Sequence, residues 1–111
     1  MARISFVELP AQNLKAAKTF YETVFGWSLT EFGPDYACTI TGSVDLGLQG
    51  DPTEAPAAPL PVVEVKDLEA ALKAVTQAGG TLTKQIFSFP GGRRFHFRDP
   101  NGMELAIMQP A

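Results

Sequence analysis

Cysteine and histidine each occur once in this 111-residue chain, as Cys38 and His96. A lone cysteine excludes an intramolecular disulfide and any multi-cysteine metal centre, and its ordinary reading is a small apolar residue in a strand. A broad cationic footprint is also missing. Nine Lys and Arg against twelve Asp and Glu leave a net charge of −3, and the only basic cluster is Arg93-Arg94, with Arg98 nearby. That is too narrow for a nucleic-acid partner. No apolar run approaches the roughly eighteen residues of a membrane span. The opening MARISFVELPAQ meets polar residues before reaching the length of a signal-peptide core. These absences leave a cytoplasmic globular protein with no membrane or nucleic-acid partner as the expectation.

What the chain does have is a repeat. Asn13-Leu14-Lys15-Ala16-Ala17 recurs 54 residues later as Asp67-Leu68-Glu69-Ala70-Ala71, and Val44-Asp45-Leu46-Gly47-Leu48 recurs as Met103-Glu104-Leu105-Ala106-Ile107. In the first half, Ile4 to Leu9 reads as a strand stopped by Pro10. Asn13 caps a helix whose buried face is predicted to carry Leu14, Ala17, Tyr21, Val24 and Phe25, ended by Gly26. Strands are predicted at Trp27 to Phe32, Tyr36 to Thr41 and Val44 to Gln49. In the second half a strand spans Val62 to Val65. Asp67 caps a helix with Leu68, Ala71, Leu72, Val75 and Ala78 on one face. Strands then follow at Thr81 to Phe87, Arg94 to Phe97 and Met103 to Gln109, with turns at Pro90-Gly91-Gly92 and Asp99-Pro100-Asn101-Gly102.

The segment from Asp51 to Pro61 holds four prolines and three alanines and reads as a linker. Neither half buries enough surface alone. The expectation is therefore one α+β domain over residues 1–111. Its two βαβββ modules, about 1–50 and 60–111 with a linker at about 51–60, form a curved, half-open barrel-like sheet with helices on its outer face. A ligand would sit in the cleft.

Three motifs carry a resemblance: Phe6-Val7-Glu8-Leu9-Pro10-Ala11, then Phe20-Tyr21-x-x-Val24-Phe25-Gly26-Trp27, then Phe97-x-Asp99-Pro100-Asn101-Gly102. They resemble the vicinal oxygen chelate superfamily, which includes glyoxalase I, extradiol dioxygenases, and fosfomycin- and bleomycin-resistance proteins, over about residues 5 to 109. In its metal-using members, four strand positions hold one divalent ion through His, Gln or Glu. The resemblance places those positions at Phe6, Gly47, Leu60 and Ala106, none of which can ligate a metal. It thus implies the fold and denies the usual chemistry, with no metal and no cofactor expected. It also implies a homodimer, since single-domain members commonly pair.

Alternation along the strands puts Phe6, Glu8, Val62, Glu64, Glu104, Ala106 and Met108 on the cleft side, and Val7, Leu9, Val63, Val65, Leu105 and Ile107 under the helices. Glu8 stands among apolar neighbours, where a carboxylate is costly unless paired. It is an anchor for a cationic or hydroxylated ligand, a general base, or a structural partner of an arginine such as Arg94. Arg94 and His96 share a face. His96 is a proton shuttle, a lone metal ligand, or a hydrogen-bonded surface histidine. Trp27, Tyr36 and Phe89 are aromatic pocket candidates.

The expected function is metal-free binding of a small organic ligand by Phe6, Glu8, Trp27, Tyr36, Leu60, Arg94, His96, Glu104 and Ala106. Catalytic residues are not identified, Glu8 and His96 being the candidates. The alternative is a lyase or isomerase resembling glyoxalase I, or a dioxygenase-like enzyme, with Glu8, Glu104 and His96 as substitute metal ligands.

Overall fold

The computed structural model describes residues 2–111. The order is β1 (Arg3–Pro10), α1 (Leu14–Phe25), β2 (Thr30–Glu31), β3 (Tyr36–Cys38), β4 (Asp45–Gln49), β5 (Leu60–Glu64), α2 (Leu68–Gln77), β6 (Thr81–Phe89), β7 (Gly92–Arg98) and β8 (Glu104–Pro110). This is the βαβββ order twice, an α+β fold. The chain divides into two compact units, residues 6–60 and residues 1–5 with 61–111. No helix among the described residues is long and apolar enough to cross a membrane.

In the unit formed by residues 6–60, strands run in the order β2-β3-β4-β1. β1 pairs in parallel with β4, and Glu8 stands directly opposite Gly47. Asn13 caps α1 through its side chain, which accepts from Ala16 N, and Gly26 ends it with φ 70°, a conformation glycine adopts without steric cost. Ala11, Leu29, Ala37 and Leu48 form the core, with Leu9, Leu14, Ala17, Tyr21 and Leu46 packed on it. Val24 and Phe25 depart from the expected buried face: Phe25 is 56% exposed. It stands at the helix end, where its ring stacks on Trp27 at 4.7 Å between centroids instead of on a strand.

Two strands are shorter than the alternation suggests, because side chains compete for their backbone. The Glu22 carboxylate accepts the Leu29 amide at 3.0 Å, holding the segment before β2 to the helix. The Asp45 carboxylate accepts from the Thr39 hydroxyl, the Thr41 amide and the Thr41 hydroxyl, each at 2.8 Å. That knot ends β3 at Cys38. Asx and hydroxyl bonds of this kind offer the chain an alternative to the ladder.

In the other unit the order is β5-β8-β7-β6. Leu68, Phe95 and Ile107 make its core, joined by Val63, Val65, Ala71, Leu72, Val75, Leu82, Ile86 and Phe97. The β6–β7 ladder shifts register twice, between Leu82 and Lys84 and between Lys84 and Phe87. Such shifts are β-bulges or related irregularities, which re-aim side chains. In the Asp99–Gly102 turn the Gly102 amide donates to the Asp99 carbonyl at 2.9 Å.

The N-terminus of α2 is doubly held: the Asp67 carboxylate accepts from Ala70 N at 3.0 Å, and the Gln109 side chain accepts from Leu68 N at 2.9 Å. Asp67→Ala removes one of these caps and is expected to lower stability by about 1 kcal/mol, measured as the urea midpoint at constant slope. No change in midpoint would mean that Gln109 alone satisfies the helix start.

Candidate functional site

In each unit the strand face opposite the helix carries the polar groups. In the unit of residues 6–60, Leu9, Leu46, Leu48 and Ala37 pack with the helix. Alternation therefore turns Phe6, Glu8, Gly47 and Tyr36 the other way. Glu8 is 2% exposed. A Cβ added at Gly47 would collide with the Phe6 ring and the Tyr36 hydroxyl. The Phe6 ring tip and the Tyr36 hydroxyl lie over the glycine backbone, so a side chain there would have to displace both. Cys38 lies on this face too, and burial, then the Asp45 charge, raise its thiol above the usual range. A protonated thiol is a poor nucleophile.

Trp27 does not join this group. It is 40% exposed and stacks on Tyr21 and Phe25 of α1, on the helix side.

In the other unit, cross-strand pairing sets out a second face. Val62 pairs with Ala106, Ala106 with His96, and His96 with Lys84; Glu64 pairs with Met108, Met108 with Arg94, and Arg94 with Phe87. Arg94 lies over Phe87 and Phe89, 5.3 Å from each ring centre, and Lys84 is 5.8 Å from the Phe87 centre. Arg93 points the opposite way and is taken by Glu69 through two contacts, at 2.5 and 3.1 Å. Of the adjacent arginines, Arg94 alone belongs to this face. Glu64 is paired with Arg3 at 3.6 Å.

His96 sits in the middle and is 4% exposed. Its Nδ1 is 3.4 Å from Glu104 Oε2, and the same oxygen accepts the Thr83 hydroxyl at 2.9 Å. Its Nε2 is buried and finds no hydrogen-bond partner among the described residues. Burial first, then the positive charges of Arg94 and Lys84, lower its pKa to about 4 against the opposing pull of Glu104. At neutral pH the imidazole is uncharged, and the carboxylate beside Nδ1 favours the proton there. Nε2 is then a lone-pair acceptor.

Thr83, Lys84 and Phe87 escaped the sequence reading. Their signal is the polar run Thr83-Lys84-Gln85, which breaks the alternation of β6 where its first register shift lies.

Of the four positions implied for a divalent ion, the Phe6 ring lies in the space beside Gly47, while Leu60 and Ala106 are buried apolar side chains. No three His, Cys, Asp or Glu side chains among the described residues come together as a metal-binding group. The residues present do not fit a divalent ion at the implied positions. The surface depressions beside α1 (at Asn13, Lys15 and Phe20) and beside Arg3, Lys66 and Gln109 include neither Glu8 nor His96.

The sequence profile of the Glyoxalase/Bleomycin resistance protein/Dioxygenase superfamily matches residues 3–107. The chain is 27% identical over 116 aligned positions to "Putative glyoxylase CFP32" of Mycobacterium bovis and of Mycobacterium tuberculosis, covering 95% of this chain and 44% of each relative. It thus spans less than half the length of these curated relatives. Among solved structures, the Mn(II)-bound glyoxalase of Novosphingobium aromaticivorans superposes with a TM-score of 0.71 at 17% identity, over 98% of this chain and 40% of that one. A variant methylmalonyl-CoA epimerase of Streptomyces coelicolor, in complex with 2-nitronate-propionyl-CoA, gives 0.76 at 14% identity, over 98% and 97%. At these identities the structural likeness concerns the fold. The profile match over nearly the whole chain makes it a member of the glyoxalase/bleomycin resistance protein/dioxygenase superfamily.

Proposed function

We propose that this protein binds a small organic molecule without a metal ion, on the strand faces that turn away from its helices. The observation that carries the reading is the closure over Gly47. A ligating side chain at that position would need the space the Phe6 ring and Tyr36 hydroxyl already fill. With Leu60 and Ala106 also apolar, the implied ligand positions offer no metal-binding atom, while Glu8 and His96 are buried polar side chains on these faces. Ligand sites are commonly apolar surfaces with a small number of placed hydrogen-bonding groups, and Glu8 and His96 are such groups here. We further propose that the whole chain acts as one domain, that it works as a homodimer in the cytoplasm, and that ligand contacts come from Phe6, Glu8 and Tyr36 in one unit or from Arg94, His96 and Glu104 in the other.

Chelator-treated protein titrated with zinc, nickel, manganese, iron(II) and magnesium tests this directly. A site at a hundredfold excess over its Kd would add about 2.7 kcal/mol, or roughly ten degrees in Tm for a domain of this size. The expected shift is under about two degrees with every ion. A large shift abolished by Glu8→Gln or His96→Gln would replace this reading with a metal-dependent lyase or isomerase built on substitute ligands.

A further inference from the structure

A buried hydrogen-bonding atom with no partner is uncommon in folded proteins, and each one asks for a reason. His96 Nε2 is such an atom. Leaving it so forfeits the hydration it would have in the unfolded chain, and a leucine or phenylalanine in the same place would avoid that. The imidazole is also oriented from behind: Glu104 stands at its Nδ1 and is itself fixed by Thr83. Thr83 reaches Glu104 from the first register shift of β6, between Leu82 and Lys84. The arrangement is a ring held in one tautomer by a carboxylate, that carboxylate held by a hydroxyl, and a lone pair left over at the far nitrogen.

The surroundings of that lone pair restrict what it could meet. Arg94 and Lys84 both lie over the Phe87 ring, which is 5.8 Å from the imidazole centre. Both are cations that oppose protonation of the ring, while Glu104 favours it. A group arriving there is favoured if it carries negative charge close to its hydrogen-bond donor.

We propose that His96 Nε2 accepts a hydrogen bond from an O–H or N–H group of a small anionic ligand, the anion lying on the Arg94 and Lys84 side of the Phe87 ring. Hydroxy acids are the simplest molecules of this kind. The inference rests on the metal-free binding reading and narrows it to a ligand class and a recognition atom. Nε2 is covered in this conformation, so entry requires a neighbouring side chain to move. Glu104 and Thr83 are positioning residues, acting through the ring.

Because the chain has a single histidine, ¹⁵N-histidine labelling gives a spectrum of one imidazole. The probes are glycolate, lactate and mandelate, each beside its O-methyl ether, which keeps the carboxylate and removes the donor. The free protein is expected to carry its proton on Nδ1. At least one hydroxy acid is expected to move the Nε2 resonance and to bind about tenfold more tightly than its ether, the difference one hydrogen bond commonly makes. That difference is expected to vanish in His96→Phe. Thr83→Val is expected to weaken the tautomer preference while the protein stays folded. A proton on Nε2 in the free protein would overturn the proposal. So would backbone amide shifts that are equal for acid and ether with Nε2 unmoved; small-molecule binding would then survive without this recognition atom. No amide response to any probe or to a general fragment set would remove both the atom and the wider reading.

Discussion

Gly47→Glu is expected to lower stability by more than about 4 kcal/mol, a large share of the roughly 5–15 kcal/mol that holds an ordinary domain folded. Two effects add. The new Cβ already meets the Phe6 ring and the Tyr36 hydroxyl, and overpacking of this sort costs about 1–3 kcal/mol. The carboxylate must then lie beside Glu8, which pairs directly with position 47 and is itself buried. An uncompensated buried charge costs roughly 3–5 kcal/mol more. Gly47→Ala carries the first effect alone and should lose only about 1–3 kcal/mol. Phe6→Ala combined with Gly47→Ala should return part of it, because the obstructing Phe6 atoms are the far end of one ring. Urea unfolding of the parent, the two single variants and the pair closes a double-mutant cycle. A Gly47→Glu protein that is as stable as the parent and gains affinity for zinc would show that the position accepts a ligand, and would reinstate the metal site.

A second large effect is the pH dependence set by His96. Its folded pKa of about 4 lies below the 6.5 of an unperturbed imidazole. The unfolded chain therefore takes up the proton first as pH falls. The stabilisation is present in full above about pH 6.5, shrinks as pH drops towards 4, and levels off below that. A shift of this size corresponds to about 3 kcal/mol. The charged groups facing the ring are Arg94, Lys84 and Glu104, and the first two oppose protonation. Carboxylates elsewhere also titrate at the acid end, so the informative quantity is the difference between the parent and His96→Gln. That difference should change by about 3 kcal/mol between roughly pH 7 and pH 4, the parent losing more. Parallel curves would mean that His96 is hydrated and titrates normally in the folded state.

The module order, both helix caps and the final turn were legible because each rests on local chemistry. Asn13 and Asp67 accept the amides three residues on, Gly26 has a positive φ, and Asp99 organises the turn. Strand faces were legible from alternation, which put Leu9, Val63, Val65 and Ile107 with the helices and Glu8, His96 and Ala106 against them. Strand lengths were not, since Glu22 and Asp45 capture backbone and hydroxyl groups seven or fewer residues away, and no periodicity records that choice. Trp27 reads from sequence as a pocket aromatic because size and polarity are all a lone tryptophan reveals; its stack on Phe25 depends on how the chain leaves α1. The tie from Thr83 to Glu104 spans 21 residues and depends on a shift in register. Such shifts leave only a faint trace in composition.

The register shifts of β6 also bear on how this chain behaves in a crowd. β6 is the outermost strand of its unit, as β2 is of the other. An exposed strand edge offers unpaired amides and carbonyls to any neighbouring chain. β2 presents only two residues, too short to template a ladder. β6 is nine residues long and carries Phe87 and Phe89, the composition of a sticky edge. Two register breaks in its pairing with β7, with a lysine between them, are the kind of irregularity and charge that disfavour regular pairing along an edge. The same kinks that carry Thr83 to Glu104 therefore count against edge-to-edge association along β6.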